Sequence, residues 1–199
     1  VKYFQANNVR VVNMSWGWTL KEIEGMLEAN GIGKDAEERS KLTREIFDIY
    51  KNGLYNAIKS APEILFITAA GNSDNDVTFD EVLPSMFDLP NLITVGAVDQ
   101  AGEETGFTSF GESVDFHANG FEVNSFLPGG NKIEMSGTSM ASPNVVNLAA
   151  KLLALDGSLT TSDLIELITG GAEKSDNGRI NLINPMKSVE LVKTVKKKS

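Results

Sequence analysis

The chain contains no cysteine. Disulfides, thiolate zinc sites, iron–sulfur clusters and a cysteine nucleophile are therefore excluded, although the compartment is not fixed by this. Histidine occurs once, as His117, so no His-rich metal site can form. Lys plus Arg total 18 against 27 Asp plus Glu, a net charge of −9. Tracking a phosphate backbone needs a basic face, so nucleic acid is not an expected partner. No run approaches the ~20 apolar residues that span a bilayer. The longest apolar-rich stretch, Asn144 to Leu155, is shorter and carries Lys151. No membrane association is expected. The opening VKYFQANNVRVVNMSWG lacks the basic region and apolar core of a signal peptide, and no Met begins it. It reads as the tail of a helix running into a buried strand, as if the chain had been cut mid-domain. Neither G-x-G-x-x-G nor G-x-x-x-x-G-K-(S/T) occurs, which sets aside a nucleotide-binding domain.

What remains is the makeup of a folded chain. Its 199 residues are 41% hydrophobic and 23% charged, enough for one domain, or one and a half, with a sizeable core. Val9 to Met14, Ile64 to Ala70 and Leu92 to Val98 are short apolar runs expected as buried strands. Ser113 to Ala118 and Lys132 to Met135 are shorter strand candidates. Thr19 and Glu22 match a capping box opening a helix that stops near Asn30 and Gly31. Asp35 to Ser60 has apolar residues at helical spacing, with a break expected near Gly53. Ser139 to Leu155 is apolar nearly all round, predicting a helix buried on most faces. Thr161 to Thr169, with Thr161, Ser162 and Asp163 as cap chemistry, and Met186 to about Val195 complete the helices. Ile180 to Leu182 suits a short edge segment, and residues 193–199 form a basic tail. Near-continuous apolar strands separated by helices imply an α/β fold, a mostly parallel sheet flanked by helices. Ligands of such sheets bind outside the strands' carboxyl ends.

Two sharp motifs, SWG after Met14 and AAGN after Ile67, fall at predicted carboxyl ends, and the strongest signal lies further along the chain. Gly137-Thr138-Ser139-Met140-Ala141-Ser142-Pro143 opens the apolar helix, and a hydroxyl at Ser139 would sit among free amides at the positive end of the helix dipole. A capping serine before a core helix fits the same spacing, so bare pattern leaves both open. Ala69-Ala70-Gly71-Asn72 follows a buried strand. An asparagine amide there can point a donor into a crevice, as tetrahedral intermediates require; a plain turn asparagine is equally compatible.

Taken together, VVNMSWG, ILFITAAGNSD, LPNLITVGAVD, TGFTSFGESVDFHANG, SGTSMASPNV and GRINLINPMKSV resemble, in order, the C-terminal part of the catalytic domain of subtilisin-like serine proteases (subtilases). The resemblance covers roughly Val1 to Val192, with a helical insertion at about 19–52. It implies a three-layer subtilisin-like fold lacking the N-terminal half, and a serine endopeptidase. Ser139 would be the nucleophile and Asn72 the side-chain donor to the oxyanion, with the Ser139 backbone amide as the second donor. Ser15, Trp16 and Gly17 would pair with substrate backbone, with Trp16 narrowing or capping neighbouring apolar subsites. Ala70 and Gly71 would line the pocket for the residue before the scissile bond. Met140, beside the nucleophile, would be open to oxidation.

The family's catalytic Asp and His precede its Ser, in D-(T/S)-G and H-G-T-H motifs that this chain lacks. His117, in VDFHANG, does not match that position and is expected as a partly buried or surface residue without a catalytic role. Asn119, Asn144 and Asn147 also depart from the family's usual residues. The chain alone is expected to be inactive, the Asp and His coming from a missing N-terminal half. Without that half an exposed sheet edge should invite dimerisation. A pseudoprotease or peptide-binding module that keeps the groove without chemistry is the alternative. No cofactor is required. Some subtilases bind calcium, but Asp88, Asp99 and Asp115, and the Asp74-Asn75-Asp76 stretch, are isolated acids and read as solvated carboxylates. Family habit places such enzymes in secreted or periplasmic locations.

Overall fold

Residues 1–196 are described by a computed structural model, in which apolar strands stack into one sheet with helices on both faces. In chain order the elements are α1 (Lys2–Ala6), β1 (Val11–Met14), α2 (Leu20–Ala29), α3 (Ala36–Lys59), β2 (Leu65–Ala69), β3 (Leu92–Val98), β4 (Phe116–Asn119), β5 (Val123–Phe126), β6 (Lys132–Met135), α4 (Thr138–Leu155), α5 (Thr161–Gly171), β7 (Glu173–Lys174), β8 (Asn181–Leu182) and α6 (Pro185–Lys196). The sheet runs β1-β2-β3-β4-β8-β7, parallel throughout except for β7, and β5 and β6 form a separate antiparallel hairpin.

Period-two alternation sends successive strand residues to opposite faces. On one face Leu65, Ile67, Ile93, Val95, Phe116 and Ala118 pack with α4, α5 and α6. On the other, Met14, Phe66 and Leu92 meet Ile23 and Leu27 of α2 and Phe47 and Ile58 of α3. The result is the expected three-layer α/β architecture. β2 and β3 are buried along their whole length because both faces are covered.

Several details differ from expectation. β1 is an edge strand, with Val11 and Val12 half-buried, Asn13 exposed and only Met14 buried. β8 is not an edge, because the two-residue β7 pairs outside it. α3 runs unbroken through Gly53. α4 buries one stripe, including Ala141, Val145, Leu148 and Leu152, and exposes Pro143, Asn144, Asn147 and Lys151, so it is not buried all round. Thr160, one residue earlier than expected, caps α5 in a capping box with Asp163. Of the basic tail, residues 193–196 extend α6, and residues 197–199 lie outside those described.

One buried side chain fixes how α3 enters the sheet. Asn91 Nδ2 donates to the carbonyls of Ile58 and Ala61 at 2.9 Å each and of Ile64 at 3.3 Å. Those carbonyls close the helix end and the turn into β2, where no water reaches them. Asn91→Ala should lower unfolding free energy by about 1–3 kcal/mol, the penalty for buried groups left without a partner. Urea unfolding would show this as a lower midpoint at unchanged slope; an unchanged midpoint would mean that the clasp carries no net stability.

Candidate active site

The carboxyl ends of β1 and β2 lie beside the start of α4, and three short segments meet there. The clasp between them is made by side chains. Thr138, the first residue of α4, donates its backbone N–H to Asn72 Oδ1 at 2.8 Å and its hydroxyl to the same oxygen at 3.0 Å. The Thr138 oxygen in turn accepts the Gly71 N–H at 3.1 Å. With Oδ1 held by two donors, the Asn72 carboxamide is oriented and its Nδ2 is left to donate elsewhere. Gly71 adopts φ 123°, a conformation L side chains rarely take, and a Cβ there would lie 2.9 Å from Ser109 Oγ.

A second clasp joins α4 to β1. Pro143 lies inside α4 and has no N–H, so the Ser139 carbonyl loses its helical partner. The Ser15 hydroxyl replaces it, donating to that carbonyl at 2.9 Å. Ser15 Oγ also accepts Asn13 Nδ2 at 2.9 Å and lies 3.0 Å from Ser142 Oγ, which donates to Asn13 Oδ1 at 3.0 Å. Asn13, Thr138 and Ser142 were not singled out beforehand, although Thr138 and Ser142 lie inside the GTSMASP string.

Between these clasps opens a cavity of 200 Å³ whose walls include Trp16, Gly17, Ala70, Gly71, Asn72 and Ser139. Six of the seven residues singled out from the sequence line it, and Ser15 holds the Ser139 backbone beside it. Gly17 is packed against the backbone of Leu83, whose oxygen would be 2.6 Å from a Cβ. Trp18 and Leu83 exchange backbone hydrogen bonds at 3.0 and 2.9 Å, tying the β1 exit to the opposite wall. Trp16, 48% exposed, also borders an apolar hollow of 430 Å³ shared with Trp18, Ile49, Tyr50, Leu54 and Leu83. Among the described residues the Ser139 hydroxyl has one hydrogen-bond partner, the Ser15 carbonyl at 3.5 Å. Among the described residues no acceptor holds the Ser139 backbone N–H, which lies in the first turn of α4.

His117 is elsewhere. Its strand neighbours Phe116 and Ala118 face α4, so His117 faces away from it. It is 3% exposed, which makes it a core residue and not a surface one. Its Nδ1 accepts the Asn181 N–H at 3.3 Å, and its ring fills the space left by the missing side chain of Gly96. Desolvation lowers its pKa, with Glu104 opposing and Arg179 reinforcing the shift.

The acids considered for calcium cap loops. Asp99 Oδ1 accepts the N–H groups of Ala101 and Glu103, Asp76 Oδ1 those of Thr78 and Phe79, and Asp115 Oδ2 that of Thr94. Among the described residues no group of three or more His, Asp or Glu side chains could hold a metal ion. Asp115 is exposed as a residue, yet desolvation of its carboxyl raises its pKa to about 6, against the Thr94 hydrogen bond, with the Asp88 charge adding to the rise.

The profile of the Subtilase family matches residues 1–184. A subtilisin-like serine protease of Penicillium rubens, Pen ch 13, is 30% identical over 159 residues, covering 73% of this chain and 38% of that protein. A thermophilic serine proteinase of Bacillus sp. (strain AK1) is 37% identical over 145 residues, covering 69% and 35%. The chain thus spans less than half the length of these curated relatives. Among solved structures, a cold adapted subtilisin-like serine proteinase superposes with TM-score 0.58 at 25% identity, over 86% of this chain and 53% of its own. The prenylagaramide maturation protease PagA shares the fold, with TM-score 0.66 at 20% identity over 96% and 64%.

Two predictions follow from this geometry. Thr138→Val removes the hydroxyl that holds Asn72 and accepts from Gly71; it should lower stability by about 1 kcal/mol and speed hydrogen exchange of the Asn72 side-chain amide in NMR spectra. An unchanged exchange rate would show that the clasp does not orient the amide. The second concerns pH. The folded pKa of His117 lies below its ordinary value of 6.5, so the unfolded chain binds the extra proton and stability falls as pH drops below about 6.5. Asp115 acts in the opposite sense, favouring the folded state as pH falls from about 6 toward 4. His117→Gln should flatten the loss between pH 7 and 5 in urea titrations, and Asp115→Asn should steepen it.

Proposed function

The chain belongs to the subtilase family, and from that premise we propose that it is the nucleophile-bearing part of a serine endopeptidase acting on peptide or protein substrates. The observation that carries this reading is the convergence of Ser139, Asn72 and the Ser15–Gly17 edge on one cleft, with the asparagine amide oriented by Thr138. A substrate strand adds along Ser15, Trp16 and Gly17 by backbone pairing. The side chain before the scissile bond enters between Ala70 and Gly71. An apolar side chain further from that bond occupies the hollow behind Trp16. The Ser139 hydroxyl attacks the scissile carbonyl, and the charge that develops on its oxygen is met by Asn72 Nδ2 and the Ser139 N–H.

A serine hydroxyl needs a base to take its proton. The only histidine of these 199 residues is buried on the far face of β4. The base and its orienting carboxylate therefore come from another polypeptide segment, which we place against the open edge of β1. Alone, the chain is inactive as a peptidase. In the same isolated state, that edge promotes pairing of two copies, measurable as a dimer by light scattering; a strict monomer at high concentration contradicts this. No membrane partner is invoked: among the described residues no helix is long and apolar enough to cross a bilayer. Secretion or a periplasmic location accords with the family.

A fluorophosphonate probe tests the reading. The chain should be labelled at Ser139 only after mixing with an Asp- and His-bearing N-terminal segment of a subtilase, and Ser139→Ala should abolish labelling. In the active mixture Asn72→Ala should cut turnover about 10²–10³-fold, the loss known for a subtilisin's oxyanion asparagine, adopted here as the scale. No labelling in a verified folded complex would instead favour a peptide-binding module that keeps the groove without chemistry.

A further inference from the structure

The cleft carries a charge that the chemistry above does not use. Of the described residues lining it, Glu22 alone is charged. Glu22 belongs to the first turn of α2, where its Oε2 accepts the Thr19 N–H at 2.8 Å and the Thr19 hydroxyl at 3.0 Å. Both bonds go to one oxygen. Oε1 has no protein partner among the described residues and stays available to a ligand. Ser109, also in the lining, is fully buried; its hydroxyl donates to Asn75 Oδ1 and accepts the Ser73 N–H at 3.3 Å. The Arg44 and Lys51 cations beside the opposite wall are both held by Glu81, so they do not neutralise Glu22. Beside its polar groups the lining carries the small or apolar Gly17, Ala69, Ala70 and Val82.

Small and apolar lining beside a carboxylate that no cation neutralises suits an alkyl stem tipped with a positive charge. We propose that Glu22 is a specificity-determining residue and that the cleft prefers a cationic side chain, lysine or arginine, immediately before the scissile bond. The preference rests on the cleft being a peptide-binding groove. It concerns which peptide is held there, and does not require the hydrolytic step. A lysine stem buries its methylenes against the alanines and Val82 while its ammonium reaches oxygen. A glutamate at the same position meets like charge.

Calorimetric titration of the 199-residue chain with three blocked tripeptide amides, acetyl-Ala-Ala-X with X lysine, norleucine or glutamate, tests this, with Trp16 fluorescence, read in a Trp18→Phe background because the chain has two tryptophans, reporting occupancy of the cleft. Norleucine matches the stem of lysine without its charge. Lysine should bind about fivefold more tightly than norleucine, the upper range of an exposed ion pair, and glutamate more weakly than either. The Glu22→Gln variant keeps the capping box, because glutamine also accepts from the cap N–H, and should bring the lysine-to-norleucine ratio to near one. In the unaltered chain, raising salt should shrink the ratio, which keeps the test decisive even if the variant folds poorly. Equal affinities, or a ratio indifferent to both salt and Glu22→Gln, with Trp16 responding to all peptides, would overturn the preference and leave the groove standing. No binding and no Trp16 response with any peptide would overturn the groove and the preference together.

Discussion

The geometry of the cleft hangs on how the first turn of one helix is fastened to two strand ends. A helix start exposes amides that need acceptors, and a proline six residues in leaves a carbonyl that needs a donor. In this chain both needs are met from the sheet. Asn72 takes the Thr138 amide, and Ser15 supplies the Ser139 carbonyl. The same bonds that satisfy the backbone therefore set the positions of a hydroxyl and a carboxamide relative to each other. Loosening either would leave buried polar groups unpartnered, so positional accuracy here is coupled to folding stability.

The sheet leaves one side of this arrangement open. β2 and β3 are sealed between helical layers, whereas β1 has a neighbour on one side only. Its polar Asn13 and the Ser15 that follows it lie on the α4 side, close to the nucleophile candidate. A segment added along this edge would extend the sheet and approach the Ser139 hydroxyl, which otherwise has only a weak carbonyl contact. Under the proposed function the proton acceptor comes from that side; His117, packed against Gly96 and buried, faces away from α4.

Much of this was legible in the residues. Runs such as LFITA and LITVGAV announce doubly covered strands because no polar alternation interrupts them, and the capping box at Thr19 and Glu22 marks a helix start by chemistry alone. The GTSMASP and AAGN strings identified the family and the candidate site residues. Other features depend on partners far along the chain. That VVNM is an edge strand follows from sheet order, which an apolar run does not encode. Strand β6 was expected at Lys132–Met135, but its partner β5 was missed because VNSF carries too little apolar pattern. Asn91 looks like a turn residue until three carbonyls from 27 to 33 positions earlier converge on it. The role of Glu22 as cleft lining was hidden behind its role as a cap, since one side chain serves both.

The central claim is that Ser139 and Asn72 face one reacting oxygen. A crystal structure of the chain phosphonylated at Ser139, in complex with the segment that supplies the base, would test it most directly. The phosphoryl oxygen should lie within hydrogen-bonding distance of Asn72 Nδ2 and the Ser139 N–H together, with the Asn72 carbonyl oxygen still held by Thr138. A phosphoryl oxygen turned to solvent, with the Asn72 amide pointing elsewhere, would contradict the account.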